Sequence, residues 1–266
     1  MPEFHFTKLS ATGNDFILID NREKQFQGDE YTLFKNMCTR RTGIGADGIL
    51  LIENSEKADF KMRYYNADGY EAEMCGNGAR ASAYYANTNF IFKAAIKFEV
   101  SGEIYTATVD GTYVALLMQT PTGVKIFPKI VETNEFTEGA FLFIGVPHYV
   151  LFVDDVDLVD VEKIGSYYCE HPAFNPHKTN VNFVARNKNE FKIRTYERGV
   201  YNETLSCGTG TVASAFTITQ TQGKNLPLTF NSRGGKLTVD IDRETNRPVL
   251  KGTVSEVYKG TFQLNQ

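Results

Sequence analysis

The feature that most constrains this 266-residue chain is an internal duplication. Cys75-Gly76-Asn77-Gly78-Ala79 and Cys207-Gly208-Thr209-Gly210-Thr211 each open a glycine-punctuated turn. Each turn runs into a small-residue helical stretch, residues 79–86 and 211–217. The approaches match too: Phe60-Lys61-Met62-Arg63-Tyr64-Tyr65 precedes the first turn and Phe191-Lys192-Ile193-Arg194-Thr195-Tyr196 the second. The offset is 131 residues from Phe60 to Phe191 and 132 from Cys75 to Cys207. After each helix comes a Gly-initiated alternating run, starting at Gly102 and at Gly235, an offset of 133. Before each lies a strand-like block, residues 16–20 and 150–154, an offset of 134. Four blocks in one order, sharing the pattern F-K-x-R-x-Y, x-E-x-x-x-C-G-x-G, predict two structurally similar halves. A solenoid needs several shorter repeats and is excluded. Strand-rich runs interrupted by short helical stretches fit the α+β class.

Composition narrows the function. Hydrophobic content of 42% and charged content of 23% are globular values. A net charge of −4 and a pI near 5.7 give no electrostatic case for a nucleic-acid partner. No stretch approaches the roughly 18 apolar residues of a membrane span. No signal-peptide pattern is visible at the N-terminus, so a cytoplasmic location is expected. The four cysteines, Cys38, Cys75, Cys169 and Cys207, include no C-x-x-C pair, and there are only four histidines. Neither a zinc site nor a disulfide framework is expected.

Along the chain, Ala11-Thr12-Gly13-Asn14-Asp15 reads as a turn between two strands. Asp29 is the expected cap of a helix carrying Tyr31, Phe34, Met37 and Cys38 on one face. Cys38 and Cys169 read as packed core thiols. The glycine-rich loop at 40–48 leads into a strand and not a helix, which excludes a dinucleotide site. It reads as a loop bringing backbone close to a small ligand, with Asp47 as a contact candidate. Residues 66–69 form a turn signature, and 98–118 read as a meander. Pro121-Thr122-Gly123 is the expected domain boundary. Applying the 134 offset places His148 where Asn14 sits in the first half, and at 133 Asn180 falls opposite Asp47.

A cysteine just before a helix has its sulfur near unpaired N–H groups and the positive end of the helix dipole, which favours thiolate. Two such cysteines in matched settings point to a pair. Dithiol redox motifs usually hold both thiols in one turn. A cysteine hydrolase uses one thiol with His and leaves the second cysteine unexplained. A duplicated binding module would leave both thiols merely packed. A racemase needs two acid/base groups of one type, one for each face of a stereocentre, and thiols with modestly lowered pKa suit that task.

Several stretches carry a family resemblance. They are Thr12-Gly13-Asn14-Asp15-Phe16, Arg41-Thr42-Gly43-Ile44-Gly45-Ala46-Asp47-Gly48 and Tyr65-Asn66-Ala67-Asp68-Gly69, then Met74-Cys75-Gly76-Asn77-Gly78-Ala79-Arg80, Tyr196-Glu197-Arg198-Gly199 and Glu203-Thr204-Leu205-Ser206-Cys207-Gly208-Thr209-Gly210. In these the chain resembles the diaminopimelate epimerases. The resemblance implies two pseudo-symmetric lobes, each a β-barrel-like sheet around a central helix, with the active site in the cleft between. The N-terminal lobe would be 1–119 plus a returning C-terminal strand at 254–266, and the C-terminal lobe 120–253. It implies interconversion of LL- and meso-2,6-diaminopimelate, in lysine and peptidoglycan precursor synthesis, by a cytoplasmic homodimer with no cofactor and no metal. Cys75 and Cys207 would be the acid/base pair, with His148 and Glu197 tuning them. Asn14, Asn66, Asn180, Glu197 and Arg198 would hold the substrate, helped by backbone at Gly76-Asn77 and Gly208-Thr209. Arginine suits a distal carboxylate because its fork matches two oxygens. The chain departs from the family at Val146, where many members carry Asn, and at Asp47, where some carry Gln.

Overall fold

A computed structural model describes residues 3–72, 74–126 and 139–263. The chain divides into two compact units, residues 1–116 with 252–266, and residues 117–251. Pro121-Thr122-Gly123 therefore lies inside the second unit.

In the first unit the elements in order are β1 (Glu3–Ala11), β2 (Asn14–Asp20), α1 (Tyr31–Cys38), β3 (Gly48–Glu53), β4 (Phe60–Asn66) and β5 (Glu71–Ala72). Then follow α2 (Gly76–Ala86), β6 (Ala95–Val100), β7 (Glu103–Asp110) and β8 (Tyr113–Leu117). The second unit holds β9 (Thr122–Ile126), β10 (Gly139–Ile144), β11 (Val146–Phe152), α3 (Val161–Cys169), β12 (Asn180–Asn187) and β13 (Glu190–Glu197). It continues through β14 (Asn202–Thr204), α4 (Gly208–Gln222), β15 (Leu228–Ser232) and β16 (Gly235–Ile241). The last strand, β17 (Pro248–Gln263), starts in the second unit and runs into the first.

The first unit is a closed ring of strands: β1, β2, β3, β4, β6, β7, β8, β17 and back to β1. Two joins are parallel, β2 with β3 and β4 with β6; the helices α1 and α2 supply the crossovers such joins need. Thr12 and Gly13 both take positive φ, the geometry of a two-residue hairpin between β1 and β2. The helix α2 packs on β1, β2, β3, β4 and β7. Ala79, Ala81, Ala83 and Ala86 are fully buried, so small side chains all round let strands surround the helix. The strands are buried on both faces. Ile17, Ile19, Ile49 and Leu51 turn outward onto Phe34, Met37 and Cys38 of α1. Each buried aliphatic or Phe side chain stabilises the fold by about 1.5–3 kcal/mol.

The second unit repeats this order. β9, β10, β11, β12, β13, β15 and β16 pair in sequence, with parallel joins at β11–β12 and β13–β15. The helix α4 packs on β10, β11, β12 and β16. Tyr168 and Cys169 of α3 pack outside on Tyr149, Leu151, Val181 and Phe183. The fold is thus α+β with two pseudo-symmetric repeats, each a barrel-like sheet around a central helix. Among the described residues no helix is long and apolar enough to cross a membrane.

Two expectations need correction. Asp29 does not cap α1: its N-cap is Glu30, whose side chain makes no cap bond because it accepts from the backbone N–H groups of Gln27 and Gly28 at 2.7 Å each. Tyr31 also leaves the buried face; it is exposed and stacks on Tyr70.

The second correction concerns the repeat. The parallel ladder of the first unit runs from Phe16 opposite Gly48 to Asp20 opposite Ile52. That of the second runs from His148 opposite Asn180 to Phe152 opposite Val184. His148 therefore matches Phe16, at an offset of 132, and Asn14 matches Val146. Asn180 matches Gly48, not Asp47.

Candidate active site

Cys75 is the N-cap of α2, with extended φ/ψ of −110° and 116°. Its Sγ accepts from the Gly78 N–H at 3.4 Å and lies 3.8 Å from Asn14 Oδ1. Asn77, buried in the first turn, donates through Nδ2 to the same Oδ1 at 3.3 Å. Asn14 Nδ2 in turn donates to Asp47 Oδ2 at 2.7 Å. Asp47 is thereby a holder of Asn14, and it is itself clamped by Arg40 at 2.9 Å. Arg40 and Lys8 also pair with Asp15 at 2.7 Å each. Burial alone would raise the Asp15 carboxyl, but hydrogen bonds from Arg40 and Lys8 prevail and hold it at about 2. So Asn14, Cys75, Gly76, Asn77 and Asp47 come together at the start of α2. Asn66 stands apart from that network, exposed at the end of β4, its backbone N–H bonded to the Tyr70 carbonyl at 3.0 Å.

Cys207 is the N-cap of α4, again extended, at −119° and 112°. It is 8% exposed, and its Sγ lies 3.5 Å from Thr209 Oγ1. Gly208 is buried as the first helical residue. On the neighbouring strands Asn180 accepts from the Arg198 backbone N–H at 2.9 Å and donates to the Pro147 carbonyl at 3.2 Å. Arg198 Nη1 donates to the His177 carbonyl at 2.6 Å. Glu197 Oε1 accepts from Thr204 Oγ1 at 2.6 Å. His148 is fully buried beside Asn180, and burial, with a smaller contribution from the charge of Arg198, pulls it down to about 3. It is a neutral ring at physiological pH. Val146 pairs with Ile144 at the turn of the β10–β11 hairpin and offers no polar side chain.

The duplicated pattern also carries an ion pair that residue types alone do not reveal. Its Arg and Glu are partners in both halves. Arg63 grips Glu71 through Nε and Nη2 at 3.1 and 2.6 Å. Arg194 grips Glu203 at 2.7 and 2.6 Å. Each pair ties the strand β4 or β13 to the short strand that leads into the cysteine turn.

Arg80 was not foreseen as a site residue. It is fully buried in α2, just over one turn beyond Cys75, and donates to Asn77 Oδ1 at 2.5 Å and Thr12 Oγ1 at 3.0 Å. Its Nε and Nη1 have no hydrogen-bond partner among the described residues. Burial pulls its guanidinium down to about 10, while the nearby Cys75 favours the charge. It remains a cation at neutral pH, close to the first thiol; the matched position in α4 is Val212. The prediction is that Arg80→Met slows alkylation of Cys75 at pH 7 by roughly threefold to tenfold, since thiolate is the reacting form. Iodoacetamide rates against pH, with Cys75 as the sole cysteine, measure this; an unshifted profile would count against it.

The other two thiols behave differently. Burial pushes Cys38 up to about 12 and raises Cys169 as well. Both stay protonated at pH 8. Mass spectrometry after treatment with a thiol reagent at that pH is expected to find them unmodified in the folded protein and modified in urea. Among the described residues no group of three or more His, Cys, Asp or Glu side chains is placed to hold a metal ion.

The fold defines a class first. A phenazine biosynthesis protein of the PhzF family from Bacillus anthracis superposes with a TM-score of 0.79 at 15% identity, covering 99% of this chain and 100% of that one. A probable proline racemase from Agrobacterium radiobacter K84 superposes at 0.69 and 13% identity, over 98% and 93%. These share the two-repeat α+β architecture. Sequence comparison is more specific. A family profile for diaminopimelate epimerase matches residues 6–123 and 141–258. The diaminopimelate epimerase of Flavobacterium psychrophilum is 38% identical over 96% of this chain and 98% of its own length. That of Aquifex aeolicus is 36% identical over 96% of each. The chain belongs to the diaminopimelate epimerase family and is an enzyme, an epimerase.

Proposed function

We propose that the protein interconverts LL- and meso-2,6-diaminopimelate by proton transfer at one α-carbon, with Cys75 and Cys207 as the two bases. One sulfur, as thiolate, removes the α-proton; the other, as thiol, returns a proton to the opposite face. The roles reverse with direction, and no cofactor takes part. The observation that carries this reading is that each cysteine caps the central helix of its own repeat in the same extended conformation.

That placement has an energetic meaning. A helix dipole contributes about 0.3–1 kcal/mol at an exposed terminus and up to about 2 when partly buried. This is too little to tame an amino-acid α-C–H. Directed N–H donors add more, since losing one oxyanion donor costs about 3 kcal/mol in other enzymes. The backbone at Gly76-Asn77 and Gly208-Thr209 supplies such donors to a carboxylate and to the enolate-like charge beside it. Asn14, Asn66, Asn180 and Glu197 hold the amino acid. The guanidinium of Arg198, anchored through its backbone by Asn180, takes the distal carboxylate. His148 and Glu197 tune the thiols. The reaction serves lysine and peptidoglycan precursor synthesis in the cytoplasm, and the working form is a homodimer.

The test is incubation with LL- and meso-diaminopimelate in heavy water, with NMR readout of α-proton loss and of diastereomer ratio. Both are expected to change at catalytic enzyme concentration. No exchange with either isomer would refute the reading.

A further inference from the structure

The sheet beneath the first turn of each central helix is built from matched positions with opposite chemistry. In the first unit these are Phe16, Leu50 and Tyr64. Leu50 pairs with Tyr64 across β3–β4, the Phe16 and Tyr64 rings lie 6.1 Å apart, and Gly78 of α2 sits on Phe16 and Leu50. In the second unit they are His148, Asn182 and Thr195. Asn182 pairs with Thr195 across β12–β13, and Gly210 of α4 sits directly on Asn182. All three are buried. With Phe16 and Leu50 buried at the positions of His148 and Asn182, the first repeat shows that the fold does not need that polar pair here.

The hydrogen bonds of the polar version leave little freedom. Asn182 Nδ2 lies 3.2 Å from the Tyr149 carbonyl, which can only accept, so this is the amide's NH2 end. Asn182 Oδ1 accepts from Thr195 Oγ1 at 3.1 Å. Among the described residues the second NH2 proton has one acceptor in reach, His148 Nδ1 at 3.2 Å. Nδ1 must therefore present its lone pair, and the single ring proton sits on Nε2. A second proton is opposed by burial and by the Arg198 charge. Nε2 is buried and has no hydrogen-bond partner among the described residues.

We propose that Asn182, oriented by Thr195 and the Tyr149 carbonyl, is a positioning residue that locks His148 as its Nε2–H tautomer. His148 is then a neutral hydrogen-bond donor to an anion and not a proton acceptor. It tunes the chemistry by stabilising negative charge, whether thiolate or substrate carboxylate. This consequence rests on the epimerase reading; the tautomer itself does not.

The ring nitrogens of 15N-histidine-labelled protein report the tautomer directly, with His148→Gln assigning the signals. The expected result is an unprotonated Nδ1 and a protonated Nε2, unchanged between pH 6 and pH 8. An Nδ1–H ring, or an imidazolium at pH 7, overturns the proposal. Asn182→Leu copies Leu50 of the other repeat and is expected to release the lock: Nδ1–H appears and kcat falls several-fold with little change in KM. Asn182→Asp is expected to favour Nδ1–H and to raise the ring's pKa. An unaltered ring in both variants also overturns the proposal. Should Asn182→Leu not fold, the wild-type spectrum alone decides. Absence of α-proton exchange would remove the epimerase reading while leaving the tautomer result standing.

Discussion

Replacing either Cys75 or Cys207 by alanine is expected to lower epimerisation by at least about 10²–10⁴-fold, the contribution of one positioned acid/base group. The two losses should not add in the double variant, because the proposed mechanism uses both sulfurs in every turnover. Folding is expected to survive. Cys75→Ala removes one cap contact, from the Gly78 N–H, and caps are typically worth about 1 kcal/mol. Cys207→Ala removes a thiol that touches the side chain of Thr209. A sharper outcome separates two bases from one. Each single variant keeps one thiol, so it should still exchange the α-proton of one diastereomer without inverting it. Circular dichroism confirms the fold, and NMR in heavy water follows exchange and inversion separately. Full epimerisation by either variant would end the two-thiol account.

Arg194→Met is expected to be the most damaging of the simple stability variants, at about 3–5 kcal/mol. The Arg194 and Glu203 side chains are 8% and 10% exposed. Arg194 also donates from Nη1 to the Val156 and Val159 carbonyls at 2.7 and 2.9 Å. Removing it strands a largely buried carboxylate, to which among the described residues the exposed Arg233 alone is left to pair, and leaves those carbonyls short of a donor. The matched pair in the first repeat serves as an internal control. Arg63 and Glu71 are 16% and 45% exposed, so solvent can take over much of what Arg63 supplies. Arg63→Met also gives up a bond to the Gln27 carbonyl and a contact with Glu53, but the Glu71 carboxylate it leaves is open to water, so it should cost less than Arg194→Met. Urea unfolding of the two variants gives the comparison. Equal costs would show that burial does not separate the two pairs. Because Glu203 leads into the Cys207 turn, Arg194→Met should also lower activity at temperatures where the protein remains folded.

Much of the site was legible because it is local. A cysteine followed by Gly-x-Gly and a run of small residues announces a helix start, and the positions of Cys75 and Cys207 at N-caps follow from that alone. The Asn66–Gly69 turn and the Thr12-Gly13 hairpin were readable for the same reason. Asp29 was misread as a cap because Glu30 reaches back to Gln27 and Gly28, a choice between adjacent acids that composition does not make. Matching Asn14 with His148 was a two-residue slip. Side chains on a strand alternate with a period of two, so such a slip keeps every residue on its own face. The apolar pattern is blind to it, and only the ladder between β11 and β12 resolves it.

By itself, then, the amino-acid sequence determined the duplication, the α+β class and the two thiols at helix starts, since these depend on repeat order, turn chemistry and capping within a few residues. Tertiary structure alone decided that Glu203 is sealed beneath Arg194 while Glu71 stays open to water beside Arg63, that Arg80 lies sealed near Cys75, and that Asn182 faces His148. Each of these depends on which distant strand lies alongside and how much water it excludes, and burial sets the strength of a charge or hydrogen bond where residue identity does not.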